Sequence, residues 1–142
     1  MPFRPYIDFD GRAEEAIASY QRALGATLHF MMRHGESPEP PPPGMLPPGM
    51  EQKVMHADMS VGDAHFMLSD GRCGGQPTFA GVMLNLAFPD GTAAKRAFDG
   101  LVAEGGTVTM ALGATFFSPC FGMVTDRFGV PWMLMVDDPM PG

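Results

Sequence analysis

The chain repeats itself at an offset of 80 positions: Asp10-Gly11 returns as Asp90-Gly91, Ala13 as Ala93, Gly25 as Gly105 and Thr27 as Thr107. Each copy reads as strand, tight turn, helix, glycine stop, strand. A supersecondary unit of this size cannot bury its own apolar face, so it must pack against a neighbour, and a twin in the same chain is the nearest one. A seam between two such units is also a natural place for a cleft. At 142 residues the chain can form one ordinary domain, or two half-domains that share a core.

In the first half, residues 3–9 read as a strand. Asp10 is placed to cap the helix that follows, with Glu14 and Glu15 near its positive end. Ala13, Ala16, Ile17, Tyr20 and Leu24 recur at helical spacing as one apolar stripe. Gly25 reads as a left-handed stop, and residues 27–33 are β-like. Residues 38–50 then change character, because seven of the thirteen are proline, a density that no helix or central strand survives. The expectation is a polyproline-like surface insertion, or a lid over a cleft.

Residues 53–61 and 64–69 read as two strands joined at Gly62-Asp63, a hairpin signal. With Val61 opposite Ala64, period two separates their faces. Ala57, Met59, Val61, Phe66 and Leu68 form an apolar face that should meet a helix. His56, Asp58, Ser60, His65, Met67 and Ser69 form a polar face that meets water or a wet cleft. The stretch from Asp70 to Pro77 is glycine-rich and reads as a linker. Module one thus spans about 1–70, the linker 71–80 and module two about 81–138.

The second half repeats the plan. Residues 82–88 read as a strand with Val82, Leu84, Leu86 and Phe88 on one face and Met83, Asn85 and Ala87 on the other. Residues 90–104 read as a helix with the stripe Ala94, Ala97, Phe98, Leu101 and Val102, stopped at Gly105-Gly106. Residues 107–115 are a strand. Residues 121–125 and 130–136 form a last hairpin around Asp126-Arg127-Phe128-Gly129, in which Trp132, Leu134 and Val136 alternate with Met133 and Met135. Each half is βαβββ, and the fold class is α+β.

A net charge of −7 argues against nucleic acid or an anionic membrane as partner. The nine basic residues are scattered. The two cysteines, Cys73 and Cys120, form no CxxC pair, which fits a reduced, cytoplasmic chain. The first residues lack the long apolar run of a secretory signal, and residues 130–136, the most continuous apolar stretch, are too few to span a bilayer. Methionine is unusually common, at 14 residues, and serves equally for filling a core and for lining an adaptable pocket.

Two βαβββ halves resemble the vicinal-oxygen-chelate superfamily, which holds glyoxalase, bleomycin-resistance and extradiol-dioxygenase proteins. The segment from Ala16 to Gly25 is similar to that superfamily's first-helix pattern, with an aromatic residue, Tyr20, five positions before a Leu-Gly stop. Phe121-Gly122 and the run Asp126 to Met133 resemble its final hairpin. Met55-His56-Ala57, Thr115-Phe116 and Gly129-Val130-Pro131-Trp132-Met133 together resemble its PhnB-like branch. The resemblance covers nearly the whole chain. It implies a U-shaped, eight-stranded open barrel with helices outside, a small-molecule ligand in the cleft and a homodimer. Some homologues carry a ubiquinone-pathway methyltransferase label, but no glycine-rich nucleotide loop follows a strand here.

Metal-dependent members of the superfamily hold one divalent ion with His and Glu from the first and last strands of each half. Carried over residue by residue, those positions fall near Pro5, Met67, Met83 and Met133. A match slipped by two residues exchanges Met67 and Met83 for His65 and Asn85. Neither set suits a hard or borderline ion, and three thioethers suit Cu(I) at best. No metal or other cofactor is therefore expected, with a divalent metal as the alternative. A new site of His56, His65 and Asp58 is the less favoured use of the polar face, behind a hydrogen-bonded cleft wall and a ligand-binding or acid–base role. His29 and His34 read as exposed and bland. Asn85, on an otherwise apolar strand, reads as a buried amide in need of a partner. Phe116 is placed near a strand end by the cleft mouth, Trp132 in the core, and Asp126 and Gly129 in a turn. The expected ligand contacts are His56, Asp58, His65, Met67, Met83, Asn85, Phe116 and Met133. Two function classes follow: a metal-independent binding protein, or a metal-dependent lyase, isomerase or dioxygenase-type enzyme.

Overall fold

The computed structural model describes residues 2–39, 44, 46, 48–71 and 77–137. Residues 40–43, 45 and 47 of the proline segment, the linker residues 72–76 with Cys73, and the last residues 138–142 lie outside the described set. The elements follow in the order β1 (Tyr6–Asp8), α1 (Ala13–Leu24), β2 (Thr27–Arg33), β3 (Val54–Val61), β4 (Ala64–Ser69), β5 (Leu84–Phe88), α2 (Gly91–Ala103), β6 (Thr107–Gly113), β7 (Phe121–Thr125) and β8 (Pro131–Val136). A single 3-10 turn, His34–Glu36, follows β2. The two halves share one topology, with sheet orders β1-β4-β3-β2 and β5-β8-β7-β6. In both sheets the first strand runs parallel to the last and the remaining pairs are antiparallel. The class is α+β with two βαβββ modules.

The chain divides into two compact units, one of Met1–Gln21 and Ala26–Pro77, the other of Arg22–Gly25 and Thr78–Gly142. In the first unit the predicted stripe is the buried face of α1: Ala13, Ala16, Ile17 and Tyr20 are all buried. Tyr20 meets Phe9 and Phe66 edge-on, with ring centroids 6.1 and 5.9 Å apart. Ala57, Met59, Phe66 and Leu68 are buried on the same side of the sheet. The predicted pairing Val61↔Ala64 holds, and Gly62 takes the positive φ (59°) that the tight turn requires. His56, Asp58, Ser60, His65, Met67 and Ser69 accordingly share the opposite, helix-free face.

The repeated Asp-Gly pairs do different work in the two modules. Asp90 caps α2 as its type predicts: its backbone is extended and its Oδ1 accepts from the Ala93 N–H at 2.8 Å. Asp10 does not cap α1. It sits at φ 47°, and its N–H donates to Asp8 Oδ1 at 2.9 Å. The donors at the start of α1 go instead to Asp70, which the sequence places in a linker. Asp70 is 1% exposed. Its Oδ1 accepts from Gly11 N–H (2.7 Å) and Ala13 N–H (2.8 Å), and its Oδ2 from Val54 N–H (2.8 Å). The residue after the matching ladder position in the second sheet is Asp137, which is exposed. With no remote carboxylate on hand, α2 needs its local cap.

In the second unit Ala94, Ala97, Phe98 and Leu101 are buried as expected, whereas Val102 is exposed at the margin of the stripe. Val82 does not join its strand. It follows Gly81 (φ 81°), precedes the ladder and is 63% exposed. β6 ends at Gly113 rather than Thr115. The last hairpin turns on Asp126, whose Oδ1 accepts from Phe128 and Val130 N–H at 2.9 and 3.0 Å and whose Oδ2 accepts from Trp132 Nε1–H at 2.9 Å. Trp132 is core, as predicted. Among the described residues no helix is long and apolar enough to cross a membrane.

Asp70→Asn tests the staple. The amide keeps one acceptor for three backbone N–H groups, so at least one buried donor loses its partner along with the charge. The expected loss is about 2–4 kcal/mol in urea denaturation followed by circular dichroism. A loss under about 0.5 kcal/mol contradicts the assignment.

Candidate functional site

The helix-free face of the first sheet is built from one row across four strands. Tyr6 on β1 pairs with Met67 on β4, Met67 with Asp58 on β3, and Asp58 with Phe30 on β2. On one side of this row stands His56. Its ring centroid lies 5.8 Å from Tyr6 and 6.0 Å from Phe30, so three rings form a chain along the row. On the other side, Ser60 pairs with His65. There the His29 ring stacks on His65 at 5.5 Å and 30°, with its Nε2 2.6 Å from Ser60 Oγ.

His56, Asp58, His65 and Met67 therefore come together on one face, as expected. His56 and His65 belong to separate clusters on either side of Asp58. His29 is the correction: it is part of this face and not a bland surface residue. A β-bulge between Leu28 and Phe30 re-aims it. Consecutive residues His29 and Phe30 both reach the helix-free face, which a strict period of two forbids. Tyr6 and Phe30, 52% and 47% exposed, were hidden in the sequence as ordinary strand aromatics.

Asp58 stands out chemically. It is half-buried, and its Oδ1 is shielded from solvent with no hydrogen-bond partner among the described residues. Buried carboxylate oxygens are ordinarily satisfied, as those of Asp70 and Asp126 are.

In the second unit, Asn85 pairs with Met133. Asn85 is exposed, not buried, because β5 is an edge strand and its alternate residues point away from α2. Its Nδ2 lies 3.4 Å from Met135 Sδ. Met83 precedes β5 and is also exposed. Phe116 is not on a strand. It lies in the connection between β6 and β7, 88% exposed and edge-on to Phe117, which in turn packs on Phe121.

The residues present do not fit a divalent ion. Of the four matched positions, Pro5 contributes only its carbonyl, which accepts from Met67 N–H at 2.8 Å, and the other three are thioethers. Among the described residues no group of three or more His, Cys, Asp and Glu side chains is placed to hold a metal.

A separate polar cavity of about 290 Å³ opens beside the start of α1, lined by Gly11, Glu14, Arg33, Gln52, Lys53, Val54 and Asp70. Its charges are mutually engaged. Arg33 Nη2 grips both Glu14 oxygens (2.9 and 3.0 Å), Arg33 Nη1 donates to Gln52 O (2.7 Å), and Lys53 Nζ donates to Gly11 O (3.0 Å). The Arg33 hydrogen bond, followed by its charge and that of Lys53, holds the Glu14 carboxyl below its ordinary value of 4.5.

Residues 8–134 match the model of the Glyoxalase/Bleomycin resistance protein/Dioxygenase superfamily. The chain is 38% identical over 148 residues to protein YjdN of Escherichia coli K12, covering 99% of each. It is 38% identical to protein PA1353 of Pseudomonas aeruginosa, whose crystal structure superposes with a TM-score of 0.81 over 98% of this chain and 99% of that one. A Bacillus cereus PhnB protein, described as a putative 3-demethylubiquinone-9 3-methyltransferase, is 27% identical, with a TM-score of 0.73 over 96% of this chain and 99% of that one.

Glu14→Gln tests the ion pair. A carboxyl held low in the folded state stabilises the fold above the ordinary value of 4.5, and that contribution is lost as pH falls through the lowered folded value. The pair is largely exposed. Urea denaturation should show a loss under about 1 kcal/mol at neutral pH that vanishes in acid. A loss that persists in acid contradicts the pairing.

Proposed function

We propose that this chain, which belongs to the glyoxalase/bleomycin resistance/dioxygenase superfamily, is a small-molecule-binding protein that works without a bound metal ion. Its ligand rests on the helix-free face of the first sheet, against His56, Asp58, His65 and Met67. The observation that carries this reading is the make-up of the first face. Tyr6 and Phe30 are about half exposed, with the imidazoles of His29, His56 and His65 among them. Flat apolar area interleaved with hydrogen-bonding groups is the composition of a ligand-binding wall. Metal independence is supported by the thioether character of the matched positions. Sequestration by the bleomycin-resistance branch is the precedent, and a homodimer is the assembly that the family resemblance implies. The methyltransferase description of the Bacillus cereus relative is not carried over, because the sequence contains no G-x-G-x-x-G nucleotide-binding pattern.

A fragment screen by ligand-observed NMR in the presence of EDTA tests the reading. Binders should persist under chelation, move the His56 and His65 imidazole resonances, and weaken several-fold in His65→Ala. Binding that arises only after Ni(II), Zn(II), Mn(II) or Fe(II) is added overturns it.

A further inference from the structure

We infer that the first sheet's face takes a ligand bearing a primary or secondary ammonium group, held by Asp58 between the rings of Tyr6, His56 and Phe30. This deepens the small-molecule reading above and rests on it. Asp58, Asp70 and Asp126 are three carboxylates in the sheets and their turns that are buried or half-buried. Asp70 accepts three backbone N–H groups, and Asp126 accepts two, plus the Trp132 indole. Asp58 alone of these is left with a shielded oxygen that no donor meets among the described residues. The residue itself is half-buried, and Oδ1 is its shielded oxygen, whereas Oδ2 is not shielded.

Two basic side chains near this part of the sheet are already engaged. Arg33, three residues along β2 from Phe30, is bound by Glu14 and Gln52, and Lys53, next to β3, by Gly11. Among the described residues no donor meets this oxygen, and the inferred partner is a positive hydrogen-bond donor on a ligand. Its class follows from the surroundings. A divalent metal requires further anionic or imidazole ligands, and no group of three such side chains is assembled among the described residues. A hydroxyl satisfies the oxygen but leaves the charge uncompensated, and an anion is repelled. An ammonium donates N–H to the carboxylate in a charge-assisted bond, and its positive methylene shell favours aromatic faces within about 6 Å. Tyr6, Phe30 and His56 offer a run of such rings along the row that contains Asp58.

The test is an NMR titration of the full chain with benzylammonium chloride, benzyl alcohol and sodium benzoate, following the Met67 methyl and the His56 imidazole. Benzylammonium should bind about tenfold tighter than benzyl alcohol, with benzoate weaker still. Asp58→Asn, close to isosteric, should bring the ammonium-to-alcohol ratio to about one. Phe30→Ala, at an exposed position, should weaken the ammonium several-fold while the fold is retained. Equal or tighter binding of the alcohol or the benzoate overturns the inference, as does an unchanged ratio in Asp58→Asn. If the alcohol or the benzoate binds at His56 and His65 without ammonium preference, the small-molecule reading stands and the ammonium assignment falls. If none of the three binds, the ammonium assignment also falls, and the fragment screen alone decides the broader reading.

Discussion

The first module depends on one carboxylate. Asp70 is almost fully buried and gathers backbone N–H groups from the start of α1 and the start of β3. Its own N–H donates to Val54 O at 2.8 Å. Its burial is tolerable because both oxygens are fully engaged. The consequence is positional: the helix start, the end of β4 and the beginning of β3 are tied at one point. The register of β3 against β4 then places Asp58, Ser60, His65 and Met67 on the side away from the helix.

The face proposed for the ligand is the side of the sheet opposite this core. Residues that point at α1 are apolar and buried. Residues that point away are imidazoles, a carboxylate, a thioether and two half-exposed rings. Asp70 and Asp126 show what this chain does with a buried carboxylate whose task is structural: every oxygen finds an N–H. Asp58 breaks that rule in the middle of a sheet, where a bare charge costs stability. A local departure of this kind marks a place where binding, rather than folding, sets the residue type.

Much of this was legible in the residues. The apolar stripe of α1, the Gly62-Asp63 hairpin and the split of β3 and β4 into two faces follow from spacing alone, and so do the core placement of Trp132 and the turn role of Asp126. Two kinds of feature were not legible. Long-range capping was one. Asp10 has the right type and place to cap α1, but Asp70, 57 positions from Ala13, reaches the donors first, and no local pattern reports a contact so distant in sequence. The other was the bulge in β2. Period two puts His29 and Phe30 on opposite faces, whereas one extra residue puts both on the same face. The edge position of β5, which exposes Asn85, likewise emerges only from sheet order.

A crystal structure of the protein as purified from its host, refined with no ligand assumed, probes the central claim most directly. The account predicts a non-protein donor within hydrogen-bond reach of the Asp58 carboxylate, with Tyr6, Phe30 and His56 bordering it. Polypeptide packed over that face, with Asp58 paired to a lysine or arginine of this chain or of a second copy, would contradict it.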